Sequence, residues 1–177
     1  IVLYGDTPFI KPETLLALTE ARRSADVVVL GFEPADPDQY GRLVMKDGQV
    51  LRIVEYKDAS ETERAIRFCN SGVVCANSQL LFSLLDAVKN DNVAGEYYLT
   101  DIVQLANKRQ LTVSAVHCEE AETLGVNSRA ELAQAEEIFQ TRSRAEMLAQ
   151  GVTLIAPNTV YFAYDTVIGR DSKIEPN

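Results

Sequence analysis

The spacing of apolar and polar positions along the 177 residues predicts an α/β chain. It opens on Ile1-Val2-Leu3-Tyr4-Gly5-Asp6, stopped by Thr7-Pro8. A short apolar run bounded by Gly and Pro reads as a buried strand, whose carboxyl end delivers Asp6 to the crevice where open α/β sheets bind ligands. Pro12 at a first helical turn, the early acid Glu13 and the spacing of Leu15, Leu16 and Leu18 predict a helix. The run 25–32, with Val27-Val28-Val29-Leu30 at its centre, then predicts a strand buried on both faces, as in parallel sheets. Strand, helix and strand make a βαβ unit.

Beyond Pro34 and Pro37, Asp47-Gly48 between the apolar runs 43–45 and 50–54 is a hairpin signal. A polar stretch from Lys57 leads to a short helix over 61–66. Asn70-Ser71-Gly72 is expected to precede a strand over 73–76, after which Asn77 or Ser78 caps a helix carrying Leu81, Leu84, Leu85 and Val88. A loop over 90–96, a helix from Asp101 to Lys108 with Ile102, Leu105 and Ala106 inward, and a strand over 111–116 follow. The long helical pattern 130–150 stops at Gly151, with Asn127 at its mouth. In the tail, Ile168 and Ile174 stand six apart with Gly169 and Ser172 between them, the texture of a hexapeptide parallel β-helix repeat.

Composition narrows the function. A hydrophobic content of 46% is ample for a core. A net charge of −9 argues against a nucleic-acid or anionic-membrane surface, so if the protein handles phosphates a metal ion must supply part of the positive charge. Cys69, Cys75 and Cys118 are odd in number and lack zinc-ligand spacing, which points to a reducing, cytoplasmic setting. No apolar run approaches the roughly 20 residues that span a bilayer. His117 and Cys118 are neighbours on an expected strand and so face opposite ways, against a nucleophilic pair. The chain begins without Met inside an apolar run, as if cut from a longer protein.

Taken in order, Leu3-Tyr4-Gly5-Asp6, Tyr40-Gly41-Arg42, Val54-Glu55-Tyr56-Lys57-Asp58-Ala59, Asn70-Ser71-Gly72, Gly95-Glu96-Tyr97-Tyr98-Leu99-Thr100-Asp101, Gly125-Val126-Asn127 and the hexapeptide tail form a series. It resembles, over essentially the whole chain, the bacterial bifunctional N-acetylglucosamine-1-phosphate uridyltransferases and glucosamine-1-phosphate acetyltransferases. The resemblance implies a Rossmann-like nucleotidyltransferase domain over 1–150, truncated at its start. Residues 151–177 would then be a linker and the first coils of a left-handed parallel β-helix acetyltransferase domain.

The activity implied is Mg²⁺-dependent transfer of a uridylyl group from UTP to N-acetylglucosamine 1-phosphate, giving UDP-N-acetylglucosamine and pyrophosphate for cell-wall precursor synthesis. The parent protein would also use acetyl-CoA and form a homotrimer through the complete β-helix. Because the attacking phosphate oxygen is already an anion, no general base is required. Asp6 and Asn127 match the family's metal ligands, and Tyr4, Gly5, Asp6, Gly41, Glu55, Asn70 and Asn127 its substrate contacts. The family's Gly-rich loop with its catalytic basic residues is expected before Ile1. The chain alone is therefore expected to be inactive, and it carries no assigned catalytic residue.

Singly, each motif has a plainer reading: Asp6 as a turn, Gly41 as a strand-start kink, Glu55 as a solvated hairpin end, Asn70 and Asn127 as caps. Lys57 either reaches a phosphate or pairs with Asp58, and Glu96, Tyr97, Tyr98 and Thr100 either wall a pocket or simply pack. Two rivals follow for the whole: an enzyme making ADP- or dTDP-sugars, and a non-catalytic scaffold, against which the pair Asp6 and Asn127 argues. The uridyltransferase reading expects those two residues across one pocket, with Gly41, Glu55 and Asn70 on its wall. It also expects Ile168 and Ile174 to point inward on successive β-helix faces from about Thr166.

Overall fold

A computed structural model describes residues 1–176 as two compact units, Ile1–Leu124 and Gly125–Asn177. Asn177, the last residue of the expected β-helix segment, lies outside the described residues. The long helix thus groups with the tail rather than with the sheet.

The first unit is built around strand β1, Val27–Phe32, in which all six residues are buried. Fully burying a Val, Leu or Phe side chain contributes roughly 1.5–3 kcal/mol, so this run dominates its surroundings. It pairs antiparallel with β4 (Cys69–Ala76) and parallel with β5 (Val113–Cys118). The hairpin strands β2 (Arg42–Lys46) and β3 (Gln49–Val54) complete the order β3-β2-β4-β1-β5. The sheet is therefore mixed, where the apolar run suggested a parallel one. Asp47 and Gly48 turn the hairpin at φ 51° and 79°, the two positive values that a type I′ turn requires.

The opening segment corrects the sequence reading. Val2 forms a single antiparallel bridge with Val74, and Ile1, Leu3 and Tyr4 are exposed, so this is not a buried strand. Among the described residues β2 meets β4 at Arg42 opposite Cys69, and farther along that flank of β4 Val2 pairs with Val74. Since Val2 and β1 both run antiparallel to β4, the segment is parallel to β1, and helix α1 (Pro12–Ala21) makes the crossover. A second correction concerns Asn70-Ser71-Gly72, which lie inside β4 rather than ahead of it. The ladder irregularity between Val29 and Gly31 accommodates them as a bulge: the Ser71 hydroxyl donates to the Leu30 carbonyl (2.8 Å), and Gly72 adopts φ 88°.

Helix α1 has no capping side chain of its own at Lys11. Its first turn is closed instead by Glu122, in the 3₁₀ turn Glu120–Glu122 after β5. The Glu122 carboxylate, almost completely buried, accepts from the Lys11 amide (3.0 Å) and the Thr14 hydroxyl (2.6 Å), with the Lys11 ammonium 3.7 Å away. Short helix α2 (Glu61–Arg64) carries a capping box formed by Ser60 and Glu63. Asn77 caps α3 (Ser78–Leu85), and α4 (Asp101–Lys108) buries Ile102, Val103 and Ala106 against the sheet.

Two carboxylates tie these elements in a pH-dependent way. Asp26 accepts from the amide and hydroxyl of Thr112 (both 2.8 Å), and these bonds hold its carboxyl below the ordinary value. Glu63 is held down by the Ser60 side chain and backbone, with a smaller contribution from Arg52. A depressed folded-state value contributes stability above the unfolded carboxylate range, near pH 4, that is lost as pH falls through the folded values. Asp26→Asn with Glu63→Gln is therefore expected to lower the denaturant midpoint at pH 7 and to flatten its decline between about pH 5 and 2. An equally steep acid limb in the double variant would assign that limb to other carboxylates.

In the second unit, α5 (Arg129–Ala149) starts at Ser128, whose hydroxyl accepts from the Glu131 amide (3.2 Å). It ends where Gly151 takes φ 92°. Gln140 is buried and exchanges two 2.8 Å hydrogen bonds with the backbone of Phe162, while Arg144 donates to the Val160 carbonyl (3.0 Å). Strands β6 (Thr153–Leu154) and β7 (Lys173–Ile174) pair in parallel, with Leu154 opposite Ile174. Ile168 and Ile174 pack partly buried against Val152, Leu154 and Phe162. Among the described residues no helix is long and apolar enough to cross a membrane.

Candidate nucleotide-sugar site

Three of the candidate residues of the first unit, Gly41, Glu55 and Asn70, gather on the β2–β4 side of the sheet. Gly41, just ahead of β2, accepts from the Asn70 amide at 2.8 Å. A Cβ on Gly41 would stand 3.3 Å from Oε2 of Glu55 and 3.3 Å from Ile53, so glycine serves close approach here. The other Glu55 oxygen, Oε1, accepts from the hydroxyl of Thr100 at the start of α4 (2.9 Å). Asn70 keeps its side-chain oxygen buried with no hydrogen-bond partner, an exception among buried acceptors. Asn70 lies inside β4 rather than at a helix end, against its plainer reading as a cap.

An open cleft of about 170 Å³ lies beside it, lined by Gln39, Glu55, Tyr56, Lys57, Glu96 and Tyr98. Lys57 brings one positive charge to a wall that holds the two carboxylates Glu55 and Glu96. Burial raises the Tyr98 phenol, helped by the charges of Asp58, Glu96, Glu55 and Asp101. Burial likewise raises Asp101, with Asp58 adding to the effect and Lys108 opposing it. Tyr97 is exposed, so of the aromatic pair only Tyr98 belongs to the wall.

Tyr4 approaches the cluster from the opening segment. Its ring lies against Gly72, where a Cβ would come within 2.1 Å of the ring carbons. Positive φ and this contact together make glycine the residue that fits the bulge. Burial raises the Tyr4 phenol, and the charges of Glu55 and then Asp6 raise it further. Nothing stands within 4 Å of the Cβ position at Gly5. The Asp6 carboxylate is exposed and makes no hydrogen bond or ion pair among the described residues.

Asn127 belongs to the second unit, where its side chain is exposed and its amide donates to Glu131 (2.6 Å). Among the described residues no group of three or more His, Cys, Asp or Glu could hold a metal ion. A lone carboxylate such as that of Asp6 suits a hard cation that takes its remaining ligands from phosphates and water. Sequence reasoning names Gly72 and Tyr56 within its motifs without giving them a role, and it passes over Gln39. Gly72 was legible as a glycine beside a turn signal, but its contact with Tyr4 was not.

His117 stacks near Phe68 (centroids 6.0 Å apart) while Cys118 is buried, so the two face apart as expected. Burial, reinforced by Glu122 and Glu119, pushes the Cys118 thiol up to about 12.

The sheet and its helices match solved nucleotide-sugar enzymes. A CMP:2-keto-3-deoxy-manno-octonic acid synthetase complexed with CTP aligns with TM-score 0.53 and 15% identity, over 79% of this chain and 61% of that one. The nucleoside-diphosphate-sugar pyrophosphorylase from Vibrio cholerae aligns with TM-score 0.51 and 12% identity, over 65% and 48%. At such identities the likeness is one of fold, and it defines the class: a nucleotidyltransferase-like Rossmann α/β fold. In sequence, the chain is 63% identical over all 177 residues to the bifunctional protein GlmU of Roseobacter denitrificans. The chain is a relative of the GlmU proteins along its whole length, and it spans about two fifths of theirs, 39% in that case. No family model matches it.

Proposed function

We propose that this chain supplies the sugar-phosphate side of a uridylyltransferase site that makes UDP-N-acetylglucosamine and pyrophosphate from UTP and N-acetylglucosamine 1-phosphate. The observation that carries the reading is the Gly41–Glu55–Asn70 cluster, with a close approach at Gly41 and an orphaned buried acceptor at Asn70. Glu55 accepts hydrogen bonds from sugar hydroxyl or acetamido N–H groups, and the Asn70 carbonyl oxygen accepts another. Lys57 offsets part of the phosphate charge at the cleft. Asp6 would offer a carboxylate oxygen to Mg²⁺, which when bound would cancel repulsion between the two phosphates and align them for in-line attack.

In a protein of the relatives' length, this reading assigns 1–150 to uridylyl transfer and 151–177 to the entry of an acetyl-CoA-dependent, trimeric β-helix half. The parallel pair β6–β7 and the packing of Ile168 and Ile174 support that assignment, and the protein would work in the cytoplasm. With this chain set in the full length of its Roseobacter denitrificans relative, Glu55→Gln is expected to raise KM for N-acetylglucosamine 1-phosphate roughly tenfold, as for the loss of one charge-assisted hydrogen bond. KM for UTP stays where it was. A sugar-phosphate KM unchanged in that variant would remove Glu55 from the site.

A further inference from the structure

We propose that Arg42, which lies behind the cleft, is a positioning residue that sets the affinity for the sugar phosphate by clamping the loop 37–41. The inference rests on the uridylyltransferase reading above and adds to it a residue outside the ligand's reach. Arg42 is 2% exposed, and its guanidinium donates to four backbone carbonyls. Nη1 donates to Pro37 (3.3 Å) and to Tyr40, Nη2 to Asp38 (3.0 Å), and Nε to Arg64 at the end of α2 (3.3 Å). No carboxylate forms a salt bridge with it among the described residues.

Burying a charge with no opposing carboxylate is costly, and an apolar side chain would fill the same space without that cost. What the guanidinium adds is a rigid planar fork with five donors, able to grip one short loop at several points. That loop is held in an uncommon shape: Asp38 has φ 33°, and Arg42 binds the carbonyl of that very residue. The Tyr40 ring meets Phe32 edge-on at 4.9 Å, anchoring the loop to the central strand.

The loop carries Gln39, a wall of the cleft, and Gly41, which faces Glu55 and accepts from Asn70. On its other side the Arg42 guanidinium lies 5.9 Å from the ring centroid of Tyr56, another wall residue. Arg64 stacks on that ring at 4.4 Å and donates to the Tyr56 carbonyl. Arg42 therefore backs two sides of the cleft at once. Loosening it moves Gly41 relative to Glu55, and misplacement on the scale of 1 Å is enough to change turnover or binding greatly.

The test uses the same full-length setting, with steady-state kinetics of Arg42→Lys and Arg42→Gln. Both variants are expected to raise KM for N-acetylglucosamine 1-phosphate roughly tenfold, with KM for UTP and kcat within about twofold. Lysine keeps the charge but lacks the fork, so it does not rescue. A merely structural role would instead lower the melting temperature and the active fraction, moving kcat while both KM values stand. Pro37→Gly, which frees the loop and leaves Arg42 in place, is expected to raise the same KM by a smaller factor and keeps the inference testable if Arg42 variants do not fold. An unsubstituted protein that makes no UDP-sugar would overturn the uridylyltransferase reading and this inference with it. An active protein whose Arg42→Lys or Pro37→Gly variants keep the sugar-phosphate KM would overturn the clamp alone.

Discussion

Asp6→Asn, with the chain set in the full length of a GlmU relative, is expected to cut uridylyl transfer by on the order of 100-fold at ordinary Mg²⁺ concentration, while acetyl transfer persists. The substitution keeps size and shape and removes one charge. Because the Asp6 carboxylate is exposed and bonds to nothing in the described fold, its loss leaves packing intact, and the melting curve should not move. The field that Asp6 imposes on Tyr4 also disappears, so the Tyr4 phenol shifts back toward its ordinary value. Raising Mg²⁺ should recover part of the rate, since the defect is one of metal affinity. Normal uridylyl transfer in the variant would take Asp6 out of the reaction, and loss of both activities would mean a misfolded protein.

The largest stability loss is expected for Glu122→Ala, at about 3 kcal/mol, or a fall in melting temperature on the order of 6–12 °C. The substitution removes the acceptor shared by the Lys11 amide and the buried Thr14 hydroxyl at the start of α1, and the carboxylate beside the Lys11 ammonium. Leaving donors buried without an acceptor costs more than the bonds themselves gained. Glu122→Gln retains one oxygen acceptor and should lose roughly half as much. Calorimetry of the three proteins decides the matter. A loss below about 1 kcal/mol in the alanine variant would mean that water replaces the carboxylate at α1.

Glu122 also shows where sequence reading stops. In the sequence it is one acid in a run with Glu119 and Glu120, and nothing local marks it as the cap of a helix 108 residues earlier. The elements that were legible are those written in neighbouring residues: the Asp47-Gly48 turn, the Asn77 cap, the bounds of α4 and the Gly151 stop. The opening run is apolar enough for a buried strand, but burial depends on which strands flank it, and those come from distant parts of the chain. Asn70-Ser71-Gly72 has turn composition, and the pairing that makes it a bulge lies on β1. The site followed the same rule. Gly41, Glu55 and Asn70 drew notice through the order of motifs, whereas Arg42 stood in one of those motifs with only its glycine given a role. Its clamp is a tertiary contact set that periodicity does not encode.

The buried central strand has a consequence for how the protein is made. The β2–β3 hairpin can close within microseconds of leaving the ribosome, since its turn is encoded on the spot. β1 cannot, because Asp26 at its threshold waits for Thr112, 86 residues later. At a synthesis rate of 5–20 residues per second that wait is on the order of ten seconds. For its duration a run of six residues destined for complete burial stays without its β5 neighbour, and nascent-chain binding by chaperones should be strongest in that interval.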